Sequence, residues 1–124
     1  MKTVLVIVTS REIEKLLQRA LGENYALTFC HTAGDGEALL RQGYDGLILE
    51  LSLPGCSGLD FLDRNRTSLP PVVIALTFVV TKYVAEAAAH AGVDGLIRMP
   101  CTGKAIARLL DDLMHKKDPS LSGG

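Results

Sequence analysis

Tryptophan is absent, and only three Phe and three Tyr stand in 124 residues, so any core must be built from aliphatic side chains. Hydrophobic residues make up 48% of the chain, ample for one domain of this length. A basic surplus is missing too. The formal net charge of -1 leaves no electrostatic footprint for direct nucleic-acid binding or for an anionic membrane. No apolar run is long: Val4 to Val8, following a single Lys2, is too short for a signal peptide or a membrane span, and is better used as a first strand. The three cysteines, Cys30, Cys56 and Cys101, lack paired metal spacing and are odd in number, which points to a reduced, cytoplasmic protein with neither metal nor cofactor. Neither a nucleophile–base pair nor a glycine-rich phosphate loop is visible, and no internal repeat. An enzyme is therefore not expected.

What remains is alternation. Val4–Val8 reads as a strand, and Ser10 caps a helix carrying Ile13, Leu16, Leu17 and Leu21 at helical spacing, closed by Gly22. Tyr25–Cys30 is a second strand. Gly34-Asp35-Gly36 reads as a turn into a weak helix around Glu37–Gln42. A third strand, Asp45–Glu50, leads through the loop Leu51–Ser57 into a helix at about Gly58–Arg64, broken by Pro70-Pro71. Val72–Thr77 is a fourth strand, Thr81–Ala91 an alanine-rich helix, Leu96–Arg98 a brief fifth strand, and Gly103–Lys117 a final helix. Five strands alternating with five helices predict a doubly wound parallel sheet over residues 1–117. Residues 118–124 read as a tail or the start of a linker, within a longer parent chain or at a simple terminus.

The stretch Asp45–Leu62 organises the rest. Leu47, Ile48 and Leu49 are continuous apolar residues, as in a strand covered on both faces, and the strand ends in a single carboxylate, Glu50. In open parallel sheets, ligands and chemistry sit just beyond the carboxyl ends of the strands. A strand-end acid that merely meets water is the bland alternative.

The segments VLVIVTSREIEKLL, DGLILELSLPGCSG, VVIALT and AGVDGLIRMP, in that order, resemble the receiver domain of two-component response regulators over about Lys2 to Lys117. The resemblance implies a flavodoxin-like (CheY-like) fold with strand order 2-1-3-4-5, and a phosphorylation switch. In that family an Asp ending the third strand accepts a phosphoryl group from a histidine kinase, and two acids after the first strand hold Mg²⁺. A Lys before a Pro pairs with the phosphate, and a Thr or Ser hydroxyl swings towards it. Phosphoryl transfer is mainly positioning and charge neutralisation, so each part is needed.

Carried over residue by residue, most of that set departs from the pattern. The acceptor position holds Glu50, the paired acids fall on Val8 and Thr9, and the Lys position is Met99. Thr77 keeps the switch hydroxyl, Phe78 follows it and is bulky enough to cover the pocket, and Leu96 replaces the aromatic switch. Pro100 remains, which predicts a cis Met99–Pro100 bond as in the family. Glu50 is then a phosphate mimic or a relic held by Thr9, Thr77 or loop amides, the relic being favoured because a carboxylate carries less charge than a phosphate and lacks its cationic partner.

The resulting expectation is a degenerate receiver, or pseudo-receiver, that works by protein–protein contact in bacterial signalling or transcription regulation. It would serve a protein partner, a homodimer or an output domain of a longer chain. The family's surface for this is its fourth helix, fifth strand and fifth helix, where Arg98, Lys104, Arg108, Asp111 and Asp112 could supply charge pairs. The alternatives are a small enzyme or ligand-binding domain reusing the strand-end crevice, and a receiver phosphorylated at an unusual residue such as Ser52 or Ser57.

Overall fold

The protein is described by a computed structural model covering residues 1–117, so the expected tail at 118–124 lies outside the described residues. Strand β1 (Lys2–Ile7) alternates its side chains between two faces, so Val4 and Val6 pack on one side of the sheet while Leu5 and Ile7 pack on the other. It lies inside the sheet, parallel to β2 (Tyr25–Cys30) on one side and to the central strand β3 (Gly46–Glu50) on the other. Beyond β3 come β4 (Val72–Thr77) and β5 (Gly95–Arg98), also parallel, giving the order β2-β1-β3-β4-β5. This is the expected 2-1-3-4-5 sheet with five helices.

Two layers of helices cover it. Ile13, Leu17 and Leu21 of α1 (Arg11–Leu21) and Ile106, Leu110 and Met114 of α5 (Gly103–Lys117) close one face over Val4, Val6, Ile48 and Ile74. The other face, Leu5, Ile7, Leu47 and Leu49, is covered by α2 (Ala33–Leu40) and α3 (Gly58–Arg64) through Leu40, Phe61 and Leu62, and by Ala91 at the end of α4 (Lys82–His90). Each such aliphatic side chain, fully buried, contributes about 1.5–3 kcal/mol, so this core needs no tryptophan. Ser10, Thr32, Ser57 and Thr81 cap α1 to α4, each hydroxyl accepting from a backbone N–H three residues on.

Several boundaries depart from expectation. β1 runs from Lys2 to Ile7, two residues earlier than the apolar run suggests, because Lys2 and Thr3 pair with Tyr25 and Ala26 of β2. Gly34-Asp35-Gly36 is helix, not a turn: α2 starts at Ala33 and ends at Leu40. Gly36 stands there because the helix presses onto the sheet. A Cβ at that position would lie 2.4 Å from Ile7 Cδ1. In the loop after β3, Ser52–Leu53 and Cys56–Ser57 form a two-residue antiparallel ladder that the Pro-Gly signal only hinted at. A 3₁₀ turn, Arg66–Ser68, fills the break after α3.

Candidate functional site

Glu50 ends β3, at the carboxyl edge of the sheet and next to the strand-order reversal between β1 and β3. Its half-buried carboxylate closes onto Thr9, two residues beyond β1: the Thr9 backbone N–H donates to Oε1 at 2.9 Å, and the Thr9 hydroxyl donates to Oε2 at 3.3 Å. An ionised carboxylate accepting from an amide and a hydroxyl is held in place without a counter-charge. Glu50 and Thr9 are therefore brought together as expected.

Other expected members are placed differently. Val8 does not border the crevice at all. It follows the alternation of Val4 and Val6, is fully buried and belongs to the core beneath α1 and α5. The Thr77 hydroxyl does not reach Glu50, since it donates to the Val79 carbonyl at 3.1 Å and accepts from the Val79 N–H at 3.3 Å. Phe78 lines the space beside Glu50 but does not seal it, being 63% exposed. Met99 is buried at the crevice floor, its Sδ 3.4 Å from Cys101 Sγ. The Met99–Pro100 bond is cis, as expected. Leu96 is half-buried against the core on the α2–α4 side.

Of the five charged residues assigned to an interaction face, one is engaged within the domain. The Asp111 carboxylate is taken by the Tyr25 hydroxyl of β2, and burial followed by that carboxylate pushes the phenol pKa well above its ordinary value. Lys104 lines a shallow groove between α1 and α5, near Ala20. Arg98, Arg108 and Asp112 are exposed. Asp45, at the opposite edge of the sheet from Glu50, accepts from the Thr3 backbone N–H at 2.7 Å. Asp60 and Asp63 sit on α3, away from the strand end.

The sequence reading also missed a surface. Phe78, Val79 and Val80 continue the apolar run of β4 past its end and, with Tyr83, stand 63%, 62%, 43% and 77% exposed. The signal was there: an apolar run that outlives the strand-ending Thr77. Among the described residues, no three His, Cys, Asp or Glu side chains come together as a metal-binding group, and no helix is long and apolar enough to cross a membrane.

A five-stranded parallel sheet in this order, with a carboxylate ending β3 and a hydroxyl ending β4, defines a receiver-type domain. Among curated proteins, chemotaxis protein CheY-3 of Vibrio cholerae is 31% identical over 117 residues, covering 87% of this chain and 85% of that protein. The chain belongs to the CheY-like receiver family of response regulators in two-component signalling. An uncharacterized transcriptional regulatory protein of Bacillus subtilis, YkoG, is 35% identical over 75 residues, with 57% of this chain aligned but only 33% of that longer protein.

Solved structures agree on the fold. A response regulator receiver domain protein (CheY-like) from Methanospirillum hungatei matches with a TM-score of 0.88 at 19% identity, over 97% of this chain and 98% of that one. The signal receiver domain of a LuxO repressor protein from Vibrio parahaemolyticus matches with a TM-score of 0.87 at 22% identity, over 99% and 98%. No family model matches the chain.

Proposed function

We propose that this domain is a pseudo-receiver, which takes no phosphoryl group and acts by contact with a protein partner, a second copy of itself or an output domain in a longer chain. The observation that carries this reading is the closed pairing of Glu50 with Thr9, at the place where the family sets its acceptor and its metal-holding acids. The remaining positions fit it: Val8 is core, and a thioether, Met99, stands where a cation would meet the phosphate. The proposed contact surface is α4, β5 and α5, on which Arg98, Arg108 and Asp112 are free to pair, extended by the apolar step Phe78–Val80 and Tyr83. Resemblance to YkoG and to receivers of LuxR-type regulators favours a role in transcription regulation, with the DNA-binding part outside this domain.

The test is direct. Incubation with Mg²⁺ and acetyl phosphate, or with beryllofluoride, should leave the mass and the amide spectrum of the protein unchanged. A saturable Mg²⁺ titration centred on Glu50 would overturn the proposal. A phosphoryl adduct mapped to the exposed Ser52 or Ser57 would replace it with phosphorylation at an unusual residue.

A further inference from the structure

Two lobes of open space meet at Glu50, one of 280 Å³ and one of 430 Å³, sharing Ile13, Glu50, Phe78 and Met99. Leu16 extends the apolar wall of the larger lobe, and Leu59 and Val84 that of the smaller. The charged side chains lining these lobes are both carboxylates, Glu50 and Glu12; among the described residues no Lys, Arg or His borders either. Glu50 thus meets an amide and a hydroxyl but no cation. Those two bonds use one acceptor direction on each oxygen, whereas an ionised carboxylate offers about four.

A hard divalent ion suits this place badly, because Mg²⁺ asks for near-octahedral oxygen ligation and, among the described residues, no three His, Cys, Asp or Glu side chains come together to hold a metal. An organic cation suits it well. We infer that the crevice is a binding site for a small organic cation, an ammonium or guanidinium on a short apolar stem, with the head on Glu50 and the stem along Ile13, Leu16 and Met99. Charge-assisted hydrogen bonds to a carboxylate are short and strong, and the Phe78 ring at the mouth can face the cation as well. A concave, mostly apolar space of several hundred Å³ with few polar groups is the usual anatomy of a small-ligand site. A partner's lysine side chain carries a similar head on a similar stem, and the tripeptide probe below separates it from a free molecule. Such a ligand would give the domain something to sense that is not a phosphoryl group.

The experiment uses the whole 124-residue chain, with n-hexylammonium, n-hexanol, hexanoate, Mg²⁺ and a lysine-containing tripeptide as separate probes in low salt. Titration followed by proton–nitrogen correlation spectra should show n-hexylammonium saturating at about millimolar concentration, with shifts at Thr9, Glu50 and Phe78. Hexanol and hexanoate should bind at least about tenfold more weakly, and Glu50→Gln should weaken n-hexylammonium by about tenfold. Should Glu50→Gln fail to fold, Glu12→Gln, an exposed residue on the larger lobe, should still weaken it by about threefold. Equal affinity for hexanol and n-hexylammonium would overturn the inference, as would no saturation below about 50 mM. Binding of the tripeptide or of Mg²⁺ at Glu50 without binding of n-hexylammonium would overturn it equally.

Discussion

Replacing Gly58 with alanine puts a methyl group where the domain has no space for one. Gly58 opens α3 directly behind Glu50, and its N–H donates to the Leu51 carbonyl at 2.8 Å. A Cβ there would lie 2.6 Å from the Glu50 carbonyl oxygen and 2.7 Å from Leu51 Cα. Both are backbone atoms, so no rotamer change relieves the overlap, and α3 must move away from the end of β3. Overpacking of this kind costs about 1–3 kcal/mol. The helix preference of alanine over glycine, up to about 1 kcal/mol in a helix interior, is smaller at a first helical position and offsets only part of it. A net loss of about 2 kcal/mol is expected, which for a chain of this length lowers Tm by about 8 °C. Gly34→Ala is the matched control. Gly34 is exposed in the first turn of α2 with nothing beyond its own helix backbone within 4 Å of its would-be Cβ, so that change should leave stability unchanged or raise it by up to about 1 kcal/mol. Urea unfolding midpoints and thermal scans of both variants measure the difference. A Gly58→Ala protein as stable as the parent, or a Gly34→Ala protein that falls as far, would refute the reasoning.

Glu50→Gln should cost less than about 1 kcal/mol at neutral pH, since the amide oxygen can still accept from Thr9 N–H; if folding is intact yet dimer or partner association collapses, Glu50 is a constitutive phosphate mimic instead. Burial and Asp111 raise the Tyr25 phenol pKa above its unfolded value of about 10, so its contribution is complete below that pH and is lost as the pH climbs past it. Tm of the parent should therefore drop more steeply above about pH 10 than Tm of Tyr25→Phe, and parallel curves would contradict this. Burial, and then the nearby Asp35 carboxylate, push the Cys30 thiol to about 11, so at pH 8 a disulfide reagent should label half-buried Cys56 first and Cys30 only on unfolding. Early labelling of Cys30 in the folded protein would count against that packing.

The sheet was readable because its inner strands are buried on both faces. Runs such as Leu47–Leu49 and Val72–Leu76 have no polar residue to confuse with a surface, and the loop residues between them break the pattern cleanly. α2 was misread at its start because Gly34 and Gly36 look like turn residues, and only the approach of Ile7 explains a glycine inside that helix. The carboxylate at the strand end and the departures around it could be named from motif order alone. Which hydroxyl would hold Glu50 could not be settled that way. Thr9 and Thr77 are chemically equivalent donors, and the choice rests on Thr77 already bonding Val79. Asp111 looked like a surface charge because its partner, Tyr25, lies 86 positions away in sequence.

That bond between Thr77 and Val79 has a consequence for how any signal could pass through the domain. A two-state element responds to a ligand only through a difference in binding free energy between its states. Here the hydroxyl at the end of β4 already both donates and accepts within its own turn, so drawing it towards Glu50 forfeits two hydrogen bonds, about 1 kcal/mol each. A ligand at Glu50 that offers the hydroxyl one bond in return leaves the resting arrangement dominant, at roughly five to one for a deficit of about 1 kcal/mol. Information arriving at the strand end would have to leave through the exposed residues 78–80, where Phe78, Val79 and Val80 have little packing to give up, before it could travel by the threonine itself.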